Sequence, residues 1–273
     1  MRNNEDRFNS MAAPQQMPSS GLHYVVPTEI VDLPSKGLFY PEGHPLHEKD
    51  FIEIKHMTTK EEDILTSTSL IEKGLVLERL LKSIIVDPQI DPKSLLPGDQ
   101  NAIYLNARIN AYGGEYNFNF TCDACGKSNK VDYDLENVKN KKLLEGHLIE
   151  NGLIKIDLEK SNLVVKLKQL NSHDLDFIEK ENKKNESRGT AHGATTSLLL
   201  SIIHSINDEV NDYSLKFINI IESLPSKDVR QIKKVYTEAK PDVDFFVELK
   251  CAHCGNLKEG NVPITANFFW PDA

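Results

Sequence analysis

The chain has four cysteines, and they occur as two matching turns, Cys122-Asp123-Ala124-Cys125-Gly126 and Cys251-Ala252-His253-Cys254-Gly255. Two-residue spacing lets both thiolates of one tight turn point at the same ion, and the glycine that follows can take the positive φ at which such a turn closes. Two of these turns supply the four soft ligands of a tetrahedral zinc site and leave no cysteine over. Period-two alternation flanks each turn: Tyr116–Phe120 and Lys130–Leu135 around the first, Val243–Leu249 and Gly260–Ile264 around the second. That pattern describes β-hairpins with the metal at their tips.

A redox dithiol and a pair of disulfides are the competing readings. A redox motif is expected once, beside a βαβ unit, rather than twice on hairpins. Disulfides call for an export route, and the stretch from Met1 to Arg7 offers no apolar segment to act as a signal peptide. The spacing therefore favours one structural zinc per chain, with disulfides or free thiols as the alternatives. Four thiolates leave no open position for water or substrate, so such a metal is structural and not catalytic. The zinc closes a loop of more than a hundred residues between Cys125 and Cys251. Closing that loop costs about 4 kcal/mol. Zinc bound in a finger-like site contributes roughly 10–16 kcal/mol at neutral pH. The metal term wins, and the two halves of the chain are expected to be clamped together.

The sequence also repeats. Ile54–Ile64 matches Leu167–Phe177, Leu80–Ile85 matches Leu198–Ile203, Leu96-Pro97 matches Leu224-Pro225, and Cys122 matches Cys251, with an offset that grows steadily from 113 to 129. Thr58 and Glu61 have the spacing of a helix capping box, and Asn171 and Asp174 stand at the matching positions. After Pro97, residues Ala102, Leu105, Ile109 and Tyr112 share one helical face; after Pro225, Val229, Ile232, Tyr236 and Ala239 repeat the spacing. The expected fold is thus α+β, made of internally duplicated helical units with β-hairpins, joined by a four-cysteine zinc ribbon and related by a pseudo-twofold axis across the metal. A flexible arm is expected over residues 1–30. A first unit follows over 31–145 (strand, helices, first knuckle), then a second over 146–273 (β-hairpin, helices, second knuckle, aromatic tail). Gly152–Leu158 and Leu163–Leu167 form the hairpin of the second unit, and the charged stretch Asn182–Gly189 reads as a mobile loop.

Little else in the sequence points to chemistry. The motifs HExxH, GxSxG and GxxxxGK[ST] are absent. His44 and His47 read as unrelated surface imidazoles, and His253 as solvent-facing because Cys254 completes the ligand set. Glu61–Asp63 suit a first helical turn, and Glu179 and Glu181 a wet face. No apolar run approaches the length of a membrane span. The formal net charge of -9 becomes two units more negative with four thiolates around one zinc, which opposes attraction to nucleic acid or an anionic membrane. Arg230, Lys233 and Lys234, diluted by Asp228 and Glu238, read as an ordinary polar face. Phe268, Phe269 and Trp270 either cover the core beside the ribbon or anchor a partner, since clustered aromatics are typical interface hot spots. The chain is expected not to be an enzyme.

Asp32–Pro41 and Ile54–Leu65, supported by Leu81–Val86, Gly98–Ile103, the two CxxCG turns and Phe268–Trp270, resemble the baseplate hub and assembly proteins of contractile-tailed phages of the T-even type. The similarity spans most of residues 30–273. It implies a non-enzymatic virion or morphogenesis protein, made in the host cytoplasm, acting in the central hub of the tail baseplate and partnered by other hub proteins. The competing class is a zinc-ribbon nucleic-acid adaptor or transcription regulator, supported by Lys127, Lys130, Lys250 and Lys258 and opposed by the net charge.

Overall fold

The computed structural model describes residues 25–143, 149–187, 192–263 and 268–269. The first half begins with an antiparallel hairpin, β1 (Thr28–Asp32) and β2 (Phe51–Lys55), continues through α1 (Thr59–Leu65), α2 (Thr68–Glu72), α3 (Val76–Ile84) and α4 (Pro97–Tyr112), and ends in a second hairpin, β3 (Glu115–Thr121) and β4 (Ser128–Asp134), followed by a short β5 (Lys139–Asn140). The second half opens on β6 (Ile149–Glu150), β7 (Leu153–Asp157) and β8 (Val164–Lys168), continues through α5 (Ser172–Ser187), α6 (Ala194–Ile202), β9 (Ile203–Ile206), β10 (Glu209–Val210), α7 (Leu215–Glu222) and α8 (Ser226–Glu238), and closes with β11 (Val243–Asp244), β12 (Phe246–Lys250) and β13 (Leu257–Asn261). The fold is α+β, and both halves run hairpin, helices, cysteine-bearing hairpin.

Local chemistry explains several of these elements. Thr58 caps α1, and the Glu61 carboxylate accepts from the Thr58 amide and from the Ser83 hydroxyl on α3. At the start of α5, the Asn171 amide donates to Asp174 and the Asp174 amide to Asn171, a reciprocal box of the same kind. Pro97 opens α4, where its missing N–H costs nothing. Each hairpin also meets the chain just after a later helix: Ile54 forms an isolated bridge with Ile85 after α3 in the first half, and Leu167 pairs with Ile203 of β9 after α6 in the second. In the second half the result is a five-stranded sheet in the order β10-β9-β8-β7-β6. Glu61 is buried, so Glu61→Ala is expected to leave two donors unpaired and cost about 2 kcal/mol of stability in chemical denaturation.

An acid in the first turn of the helix after each Leu-Pro grips the hairpin of its own half. Asp99 accepts from the Ser35 amide (3.0 Å) and the Tyr40 hydroxyl (2.6 Å), all buried. Asp228 accepts from the amides of Lys160 (2.9 Å) and Ser161 (2.8 Å) in the β7–β8 turn. Burial drives the Asp99 carboxyl above its usual range despite those bonds. At Asp228 burial pushes the same way, but the bonds from Ser161 and Lys160 outweigh it and leave the carboxyl below its usual range. A depressed carboxyl stabilises the fold above its unfolded pKa, and that stabilisation is lost as pH falls through the folded value. Asp228→Asn is therefore expected to be less stable than the parent at neutral pH, with the gap closing below about pH 4, as followed by thermal unfolding across pH.

The halves share one hydrophobic core. β5 pairs with β11, Asn101 on α4 donates to Asp242, Lys93 pairs with Asp176 at 2.8 Å, and Asp91 meets His173 at 2.6 Å.

Several expectations need correction. The first unit begins with a hairpin rather than a lone strand, because Thr28–Asp32 pairs with β2. Residues 28–30 thus belong to β1 and not to the arm, while residues 1–24 lie outside the described residues, as does the 145/146 boundary. The stretch from Asn182, expected as a loop, continues α5 to Ser187; Lys183 pairs with Glu179 one turn away, and lysine and glutamate favour helix. The strand after the second knuckle is Leu257–Asn261, not Gly260–Ile264, because Leu257 pairs directly with Lys250 across the turn.

Candidate metal centre

Each knuckle is built the same way from its own backbone. In the first, the Cys122 amide donates to the Lys127 carbonyl (3.0 Å) and the Gly126 amide to the Cys122 carbonyl (2.8 Å); in the second, Cys251 donates to Asn256 and Gly255 to Cys251, both at 2.9 Å. Gly126 and Gly255 sit at φ 69° and 72°, a region a side chain would strain. Hairpins β3–β4 and β12–β13 carry the turns and bring them tip to tip.

The four Sγ atoms lie within 4.8 Å of one another. Across the halves, Cys122 is 3.7 Å from Cys254 and Cys125 is 3.7 Å from Cys251. A disulfide needs about 2.05 Å, so these are separate sulfurs. A regular tetrahedron with Zn–S bonds of about 2.3 Å places its sulfurs about 3.8 Å apart. The donor set and spacing fit such an ion.

Backbone amides, burial and the neighbouring sulfurs shift the ionisation of Cys122, Cys251 and Cys254. Burial opposes ionisation of Cys251, but the amides of Cys254 and His253 point at its sulfur and bring the thiol down to about 6. At Cys122 the amides of Cys125 and Ala124 lower the thiol in the same way. Cys254 receives the Asn256 amide, yet the neighbouring sulfurs of Cys251, Cys125 and Cys122 outweigh it and push the thiol to about 12. Negative charge gathers on the buried sulfurs first and then resists further ionisation, and a divalent ion relieves that repulsion.

Two contacts absent from the sequence reading hold the knuckles together. Asn129 donates through Nδ2 to the Lys127 carbonyl and accepts through Oδ1 from the Ala252 amide of the opposite turn (3.0 and 2.9 Å). Lys258 pairs with Asp123 across the hairpins at 2.7 Å. No cysteine spacing signals Asn129, because its role depends on which hairpin faces it.

The remaining candidates fall as follows. His253 is exposed, as expected. His44 stacks on Tyr40, meets Ser94 through Nε2 and accepts the Leu46 amide at Nδ1, while His47 contacts the Tyr40 carbonyl, so the two imidazoles do not converge. Phe268 and Phe269 are buried at 0% and 2% exposure, which corrects their reading as partner anchors. Phe268 packs edge-on against Tyr116 and Phe269 against Tyr104, so both rings close the core beside the ribbon. Trp270 lies outside the described residues. The buried Arg108 of α4 fixes this end of the chain, donating to the carbonyls of Phe268 (2.6 Å), Gly113 (2.7 Å) and Glu115 (3.0 Å). Lys258 and Lys130 near the ribbon have carboxylate partners, and Lys233 and Lys234 bond Thr195 and Glu238.

Comparison with curated proteins and with solved structures returns no match. A protein-family model described as T4 bacteriophage base plate protein matches residues 29–270, nearly the whole described chain and both cysteine hairpins. The chain belongs to the family of T4 bacteriophage base plate proteins.

Proposed function

We propose that this protein is a non-enzymatic component of the phage tail baseplate, working in the hub or in its assembly with other hub proteins, and that one structural zinc on Cys122, Cys125, Cys251 and Cys254 locks its two halves. The family match over residues 29–270 carries the baseplate reading. The zinc reading is supported by four sulfurs at tetrahedral spacing, contributed two from each half. The halves are read as a duplication, supported by the common order of elements, the paired helix caps and the matched Ile54–Ile85 and Leu167–Ile203 pairings.

A structural role agrees with how the titratable groups are used. One cleft between the halves, about 310 Å³, has Tyr40, His44, Lys168, Asp174 and His204 in its lining. Lys168 and Asp174 neutralise each other at 2.6 Å, and His44 is tied up by Ser94 and Leu46. Among the described residues no helix is long and apolar enough to cross a membrane.

Quantitative mass spectrometry of finished particles and of defective assembly intermediates tests the assignment. A fixed copy number in finished particles makes the protein a retained hub component, and presence in intermediates alone makes it an assembly factor. Absence from both refutes the baseplate role. Steep, salt-dependent binding to random DNA would instead favour the adaptor class.

A further inference from the structure

The two halves treat the outer edge of their first hairpin differently. In the second half β6 covers the outer edge of β7, reached through a two-residue turn at Asn151 (φ 47°) and Gly152 (φ 79°). Positive φ at both positions is what a tight type I′ hairpin turn requires. By the pairing registers, Thr28 of β1 stands where Leu153 stands in β7. The residues that precede it are Val26 and Pro27. Proline holds φ near -65° and valine avoids positive values, so the chain cannot double back there as it does at β6.

The open edge can be read atom by atom. His56 donates to the Pro27 carbonyl and Leu33 donates to the Asp50 carbonyl. In an antiparallel ladder these bonds alternate, so Pro27, Glu29, Val31 and Leu33 face β2, while Thr28, Ile30 and Asp32 turn their N–H and C=O groups outward. The Asp32 carbonyl confirms the direction, since it accepts the side chain of Asn140. At Thr28 and Ile30 no strand pairs with this edge among the described residues. Ile30 is 61% exposed, and Phe51 on the same face is 46% exposed.

We propose that the outer edge of β1 accepts an antiparallel β-strand from a baseplate partner, one with an apolar residue opposite Ile30 and a basic residue opposite Asp32. This inference rests on the baseplate reading. Charge selects the partner class. On the exposed face, Ile30 lies beside Glu53 and Asp32 beside Phe51. Neither carboxylate meets a cation among the described residues. In a self-pairing centred on Ile30, Asp32 would face Thr28 of the other copy and gain no cation, and two chains of net charge -9 each would be brought together, which disfavours it. Long exposed edges are normally blunted by charge, bulges or proline. Here the proline precedes the strand, and the central edge residue is isoleucine.

Hydrogen exchange of the protein, alone and within purified baseplates, tests the proposal. Glu29 and Val31, already bonded to β2, serve as internal controls. The amides of Thr28 and Ile30 are expected to exchange fast in the isolated protein and roughly tenfold or more slowly in baseplates. Equal rates in the two states overturn the proposal, as does protection already present in the isolated protein, which would mean that its own chain or a second copy covers the edge. Ile30→Lys is expected to keep the metal content and unfolding temperature of the parent yet fall out of baseplates; normal incorporation of this variant also overturns it. If the parent protein is present only in assembly intermediates, the exchange is measured there; if it is absent from baseplates and intermediates alike, the baseplate reading fails and takes this inference with it. Presence without edge protection refutes the strand partner alone.

Discussion

Cys122→Ser is expected to lose most of its bound zinc and to unfold at least the two cysteine hairpins at ordinary temperature. Zinc in comparable thiolate sites contributes on the order of 10–16 kcal/mol, against a loop-closure cost of about 4 kcal/mol. The difference is comparable to the whole stability of a typical domain, about 5–15 kcal/mol. Without an ion, buried Cys251 and its neighbours would hold their charge against one another, and among the described residues the bridges left between the knuckles are Asn129 and the Lys258–Asp123 pair. A strong chelator at neutral pH should act like the substitution, and Cys254→Ser should reproduce it from the other half. Protease sensitivity and calorimetry provide the readout. A melting curve unmoved by chelation would refute the structural role.

The second large effect is expected at Arg108. Its guanidinium is fully buried and has three backbone carbonyls, not a carboxylate, as partners, with the Tyr112 ring 5.2 Å away. Burial lowers its pKa, yet arginine stays charged well beyond neutrality, so the carbonyl dipoles and the Tyr112 face must stabilise that charge. These bonds join the end of α4 and the start of β3, which are close in sequence, to the distant chain at Phe268. Arg108→Ala leaves three carbonyls without this donor, that of Phe268 in a buried site, together with a cavity, and is expected to cost on the order of 4 kcal/mol. Arg108→Lys should recover little, because an ammonium cannot reproduce the planar fork that reaches three carbonyls at once. Denaturant titration measures both, and a loss below about 1 kcal/mol for the alanine variant would contradict this account.

The features most legible in the sequence were those set by short-range rules. The cysteine turns, the alternating strands beside them, the β7–β8 hairpin, the Thr58–Glu61 cap and the helices after Pro97 and Pro225 depend on residues a few positions apart. The features missed depend on contacts across the chain. β1 was not seen as the partner of β2 because residues 33–50 separate them, a succession of turns rather than one two-residue hairpin turn; Tyr40 and Ser35 find Asp99 only once α4 is in place. For Phe268 and Phe269 the sequence offered both core and partner readings, and what decides for the core is packing on Tyr116, Tyr104 and Arg108, which local hydrophobicity cannot name. The run from Asn182 misled for a different reason: polarity suggested a loop, while the helix propensity of the same residues carried α5 onward. At the candidate metal centre the clustering of the four cysteines was legible, but Asn129 and Asp123, which tie one knuckle to the other, were not.

X-ray absorption at the zinc edge, on protein purified without added metal, tests the central claim most directly. The account predicts one zinc per chain with a shell of four sulfurs at about 2.3 Å and no lighter ligand. A nitrogen or oxygen in that shell, or a folded protein purified without zinc, would contradict it.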